Sequence, residues 1–216
     1  MYGRESGRRG ADGILGAVDV FTGSQPTMMI ERRRLLLALA ALAAGCAATP
    51  QILPIQPELD LADAAARGAG RALAVDVVDA REDAVVGYRD PGDTGSAITT
   101  APEMLENLRR ALEDGYRRLG FAIVPSDAAA DVALEVRLTE LGYQRAVGGV
   151  VRELRTGATL EATSVMPTKT VTAVYRDGQG KDTVLRPTLK SNADILNQHL
   201  AAAMSKLVAD ARLTTP

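Results

Sequence analysis

One cysteine and one histidine hold most of the reactive chemistry open to this 216-residue chain, and they stand far apart as Cys46 and His199. A cysteine is a nucleophile only as its thiolate, which calls for a nearby base or an electropositive pocket. Cys46 has neither: Ala-Ala-Thr-Pro and a proline-bearing stretch follow it. That context also argues against a core cysteine, which needs a folded segment around it. What precedes Cys46 is more telling. Arg32, Arg33 and Arg34 lead into the short apolar run LLLALAALAAG, which ends in small residues. A basic start, a short apolar stretch and small residues before a cut are the marks of a bacterial export signal. The run is too short to span a bilayer, which takes about 20 apolar residues. Cys46 reads as an attachment point.

Ala43-Ala44-Gly45-Cys46 resembles the lipobox of bacterial lipoproteins, with Ala43 where Leu is commonest and Leu42 one place earlier. The resemblance implies a diacylglyceryl group on the Cys46 thiol, cleavage between Gly45 and Cys46, and acylation of the new amino terminus. Two or more lipid chains anchor a protein stably, where one holds it marginally. Ala47 in place of Asp after the cysteine resembles, for a Gram-negative bacterium, the outer-membrane sorting class rather than the inner-membrane-retained one. An export signal belongs at the amino terminus, yet residues 1–27 lack periodicity and Met28 and Met29 follow them. Residues 1–27 are therefore expected to be a misplaced translation start, and residues 28–45 the signal peptide.

A second group lies further on, where Asp79, Arg81, Glu82 and Asp83 cluster and Arg89 follows. Its functional reading is a polar recognition edge formed by Asp79, Arg81 and Arg89. The plainer reading is a salt-bridge network closing the end of a sheet, each pair worth under ~1 kcal/mol. Paired carboxylates for glycoside hydrolysis need a set separation across a cleft, which spacing alone does not give. His199 falls on a helix beside the apolar stripe and reads as structural. Gly142-Tyr143 reads as a strand end with an exposed tyrosine.

Composition closes other routes. One cysteine excludes an intramolecular disulfide and a multi-cysteine zinc site. No Gly-x-Ser-x-Gly, phosphate loop or His-Glu-x-x-His is present, so no catalytic residue, metal or cofactor is expected. Aromatics make up 3 % of the chain, against base-stacking nucleic-acid platforms. From Cys46 onward there are 19 basic and 23 acidic residues, a net charge of −4, so the basic run belongs to the signal.

These residues need elements to hold them. Residues 46–70, with Pro50, Pro54 and Pro57, read as a lipidated cysteine and a Pro/Ala-rich tether, semi-extended at about 3 Å per residue. Ile52, Leu53 and Ile55 alternatively form a short edge strand. The domain is expected over 71–213. RALAVDVVDAR alternates as a first strand, and Thr100-Ala-Pro-Glu103 predicts a capped helix running down to Gly120. Glu113 with Arg117, and Asp114 with Arg118, are spaced as i,i+4 pairs. FAIVP, DVALEVRLTELGYQ, GATLEATSVM and TKTVTAVYR read as strands, the last ending in a hairpin turn at Asp177-Gly178-Gln179-Gly180, with KDTVLRPTL pairing back. Ser191-Asn-Ala-Asp194 predicts the cap of a last helix carrying Leu196, Leu200, Ala203, Leu207 and Val208 inward. The expected fold is α+β: a mostly antiparallel sheet of about four to six strands with two helices on one face.

The order of VDVVDARED, VVGYRD, RRLGFAIV and SNADILNQHLAAAM behind a lipobox resembles the YajG family of bacterial lipoproteins, over roughly residues 46–212. The resemblance implies location and fold more than activity. The expectation is a non-enzymatic lipoprotein, anchored through acylated Cys46 on the periplasmic face of the outer membrane, that binds or positions an envelope protein or peptidoglycan. The alternatives are an enzyme or regulator of peptidoglycan metabolism, using the acidic cluster, and a subunit of an outer-membrane lipoprotein assembly complex recruiting a partner strand.

Overall fold

The structure is a computed structural model describing residues 50–62, 64–90, 92–145, 152–183 and 187–216. Cys46, the lipobox, the signal and residues 1–27 lie outside the described residues. One compact unit covers Ala47–Pro216.

Its strands are β1 (Gln51–Leu53), β2 (Ala72–Asp79), β3 (Val85–Tyr88), β4 (Ala97–Thr100), β5 (Ala122–Val124), β6 (Val132–Arg145), β7 (Arg152–Met166) and β8 (Lys169–Thr183). Two helices, α1 (Met104–Arg118) and α2 (Leu189–Ala209), complete the α+β fold. All eight strands share one sheet in the order β1-β4-β3-β6-β2-β5, with β7 and then β8 on the other side of β6. The sheet is mixed, and by paired residues it is mostly antiparallel. The β6–β7–β8 meander is antiparallel, whereas β1–β4, β2–β5, β2–β6 and β3–β6 are parallel. The excess over four to six strands comes from β3 and β4, four residues each, which carry too little alternation to read.

β6 is the spine. Val132, Leu134, Val136 and Leu138 point to the helices and are buried. A bulge at Thr139–Glu140, where Glu140 rather than Thr139 faces Thr159, then shifts the alternation by one. Leu141 and Tyr143 consequently keep facing inward, and Tyr143 is 1 % exposed instead of capping a strand end in solvent. β7 and β8 stay in register over fifteen consecutive pairs. The turn expected at 177–180 is absent because β8 runs straight through it to Thr183, and Pro167-Thr168 makes the reversal.

In α1, Met104, Leu108, Leu112 and Tyr116 bury one stripe. Its stop is a Schellman motif: Gly120, at φ +87°, donates to Arg117 O, and Phe121 N–H donates to Tyr116 O. The rings of Tyr116 and Phe121 close that motif edge to face at 5.7 Å. Its start departs from expectation. Thr100 pairs in β4 and Glu103 takes the N-cap with no side-chain bond, so no capping box forms. Asp114 pairs with Arg117 rather than Arg118, while Glu113–Arg117 forms as spaced. α2 begins one turn before the expected cap: Thr188 accepts from Ser191 N–H, and Asp194 pairs with Lys190 instead of capping. Its Leu196, Leu200, Ala203, Leu207 and Val208 are all buried.

The largest correction concerns residues 51–70, which are part of the folded body rather than a free tether. β1 pairs with β4, and Leu53 and Ile55 are at most 1 % exposed. Beyond β1 the chain straps across both helices. Asn107 of α1 donates to Ile55 O, Asn197 of α2 bonds Pro54 O and Gln56 N–H, and Ser205 accepts from Asp60 N–H. Leu59 and Leu61 pack on the core above Gly115, where a Cβ would sit 3.0 Å from Leu59. Pro54 and Pro57 suit such a strap, because a segment bonded largely through side chains of its neighbours can spare backbone donors.

Candidate functional site

β2 delivers Asp79 to the end of the sheet, and the following turn folds Arg81 back over it. Arg81 donates from Nε to Asp79 Oδ1 at 2.8 Å and from Nη2 to Oδ2 at 2.7 Å. These bonds hold the Asp79 carboxyl below its ordinary range, against a smaller opposing push from partial burial. The Arg81 side chain is 5 % exposed, and its Nη1 is buried with no hydrogen-bond partner among the described residues. Asp83 accepts from Val85 N–H and so starts β3. Arg89 lies past the other end of β3, where its N–H donates to Ser96 O. Asp79 and Arg81 are thus joined, and Arg89 is separated from them by the length of a strand.

Arg81 lines a groove of about 880 Å³ that also runs along Val86, Glu140, Arg155 and Arg176. A glycine row floors its middle: Gly142 faces Gly157, and Gly157 faces Gly178, on three adjacent strands. The strands approach closely there, since a Cβ on Gly178 would lie 2.9 Å from Thr156 O. Two hydroxyls brace the bulge beside it, with Thr139 Oγ1 donating to Thr159 O and Thr159 Oγ1 donating to Glu140 at 2.7 Å.

On the helix side of the same strands, His199 meets partners that sequence reasoning missed. Its Nε2 lies 2.9 Å from Thr156 Oγ1 and its Nδ1 lies 2.7 Å from Asp177 Oδ2. Lys206 Nζ donates to the other Asp177 oxygen at 2.8 Å and to Arg176 O at 2.9 Å. Partial burial pushes the Asp177 carboxyl up, and the bonds from Lys206 and His199 outweigh it, leaving it below its ordinary value. Hydroxyl, imidazole and carboxylate in this order are the parts of an acyl-transfer site. Here Thr156 is 7 % exposed and His199 is 3 % exposed, so the hydroxyl is spent on a buried hydrogen bond between sheet and α2. The signal that pointed to this cluster was the lone histidine. Asp177 was hidden inside a dipeptide that reads as a turn.

The face of the sheet opposite the helices is solvated. Its residues follow in cross-strand rows, Val78–Arg137–Glu161–Val174 and Asp76–Glu135–Thr163–Thr172. Val78, Val165 and Val174 are exposed on it, the last two at 50 %. Among the described residues β8 pairs with β7 alone, so its far edge is a fifteen-residue strand edge without proline or bulge. Among the described residues, no group of three or more His, Cys, Asp or Glu is placed to hold a metal ion, and no helix is long and apolar enough to cross a membrane.

These features define an α+β domain whose helices cover one sheet face and whose other face, among the described residues, is exposed. A family model described as uncharacterized lipoprotein matches residues 57–215, and the chain belongs to that family, the YajG lipoproteins. The match begins within the strap and ends at the last turn. The chain is thereby a lipoprotein by family. No curated protein matches it. Among solved structures it is similar to a protein from Xanthomonas campestris, at 14 % identity over 75 % of this chain and 93 % of that one, with a TM-score of 0.49. It is also similar to a minor lipoprotein from Acinetobacter baumannii, at 10 % identity over 64 % and 89 % of the two chains, with a TM-score of 0.37. A lipoprotein from Neisseria meningitidis is similar at 11 % identity over 65 % and 99 %, with a TM-score of 0.32.

Proposed function

We propose that the chain is a non-enzymatic lipoprotein, held by acyl chains on Cys46 at the periplasmic face of the outer membrane, that binds another envelope component through the edge of β8. The observation that carries this reading is that edge. It is long, regular and paired on one side among the described residues, the geometry to which a partner strand adds through main-chain hydrogen bonds. The exposed Val174 and the Thr172 row beside it supply side-chain contacts on the open face. Lys206 crosses to Arg176 O and limits the accessible edge to the half of β8 before it. Binding rather than catalysis is supported by how fully the ionisable groups engage one another: Asp79 with Arg81, and His199 and Lys206 with Asp177.

Photo-cross-linking in intact cells tests it. A photoreactive residue at Val174 should yield a discrete higher-mass adduct that one at Arg110, on the exposed side of α1, does not. Only monomer at both positions overturns the edge as the binding surface.

A further inference from the structure

Between Lys169 and Arg176 the edge of β8 reads TVTAVY, with no charge, proline or glycine. Sheet edges that stay in water usually carry such a guard. Two bonds fix which backbone groups this edge offers. Thr159 O accepts from Thr139 on β6, so Thr159 turns its main chain away from β8. Arg176, opposite Thr159, therefore turns its own off the sheet, where its carbonyl accepts from Lys206. Backbone direction alternates along a strand, so Thr170, Thr172 and Val174 also point N–H and C=O outward. Their side chains are exposed on the open face, while Lys169, Val171 and Ala173 lie half-buried toward the helices.

We infer that the partner of this edge is a second copy of the chain, its β8 paired antiparallel about a two-fold axis at Thr172. The inference rests on the edge proposed above as the binding surface and names what it binds. The free stretch sets the register. Lys206 closes the edge at Arg176 and the chain reverses at Pro167-Thr168, so Lys169–Tyr175 is left to pair, and Thr172 is its midpoint. Two copies opposed about that midpoint bring no like charges together. Thr172 faces Thr172 of the other copy, Thr170 faces its Val174, and Val171 faces its Ala173. The Thr163 and Thr172 hydroxyls lie 3.1 Å apart, so a threonine row runs on across the axis. Val171 and Ala173, which pack at the margin of the core, become covered. At each end Lys169 faces Tyr175 of the other copy, whose hydroxyl donates to Asp210 at 2.6 Å, and the ammonium comes beside a carboxylate. An unrelated strand would gain the same main-chain bonds without this match of side chains. One strand pair is a small contact for a dimer in solution, and confinement of anchored copies to one leaflet raises their effective concentration.

Disulfide cross-linking in isolated membranes tests both partner and register, because acylation of Cys46 leaves an introduced cysteine as the free thiol. In the two-fold register the Thr172 Cα atoms stand about 5.5 Å apart, within disulfide reach, and the Val174 Cα atoms roughly 13 Å apart. Thr172→Cys should therefore form a covalent dimer on mild oxidation. Val174→Cys alone should stay monomeric, and Thr170→Cys and Val174→Cys chains made in the same cell should cross-link to each other. Thr172→Cys no more dimeric than the parent chain overturns the inference. In that event a Val174 photo-adduct of a mass other than twice the chain leaves the edge as the binding surface for a different protein, and no adduct removes that reading as well. Val174→Cys dimerising alone as readily as the mixture also overturns the inference, since that is collision without register.

Discussion

The two faces of the β6–β7–β8 meander are made by alternate residues of the same strands and differ in nearly every respect. Toward the helices stand Leu134, Val136, Leu138, Leu160 and Ala162, each at most 2 % exposed. Toward solvent stand Glu135, Arg137, Glu161, Thr163, Thr172 and Val174, which no helix among the described residues covers. The contrast separates what folds this domain from what it offers to others. Removing apolar volume from the first face should unfold the protein, while the same change on the second should alter only what it binds.

The strongest challenge to that division is truncation on either face of the meander. Leu134→Ala should cost about 2–5 kcal/mol, as for other fully buried leucines, whereas Val174→Ala should stay within about 0.5 kcal/mol. Denaturant midpoints for the two variants check this, and equal losses would erase the distinction between the faces. Gly178→Ala sharpens it, because a glycine on the solvated face is there for packing. Its new Cβ would press on Thr156 O, at a cost of about 1–3 kcal/mol, the range for forced overpacking. Gly142→Ala, in the same row with nothing within 4 Å, should be close to neutral. Thermal unfolding of the pair reads the difference.

His199→Ala probes the seam between sheet and α2. It strands the Thr156 hydroxyl and removes one of the two donors on Asp177, for an expected loss of about 1–3 kcal/mol. The smallest effect is expected at Asp210. A hydrogen bond from Arg212 and a second from Tyr175 hold its carboxyl down to about 2, against partial burial. A carboxyl depressed in the folded state stabilises above its unfolded pKa, near 3.9, and that contribution fades as pH falls toward the folded value. Asp210→Asn should therefore flatten part of the acid dependence of stability between about pH 4 and pH 2, read from urea midpoints across that range.

Legibility in the sequence followed the same division. Long alternating segments such as Val132–Leu138 and the stripe of α1 declared themselves, because burial on one face imposes a period. Gly120 and the leucines of α2 did so as well. The bulge at Thr139–Glu140 escaped because its signature is one residue of slippage, and Tyr143 was misread for that reason. Asp177-Gly178 imitated a turn because its glycine answers to the close approach of Gly157, a contact 21 residues away in the chain. The strap escaped for a different cause: it has no period of its own and is held by Asn107, Asn197 and Ser205 from both helices. Of the site residues, Asp79 and Arg81 were correctly joined by proximity. Arg89 was grouped with them although β3 lies between, and Cys46 rests on its lipobox alone.

The central claim, that Cys46 carries the anchor, is tested most directly by the intact mass of the protein extracted from membranes, compared with Cys46→Ala. The account requires a chain beginning at Cys46 with three acyl chains, and loss of that species in the variant. An unmodified chain beginning at Met1 would contradict it.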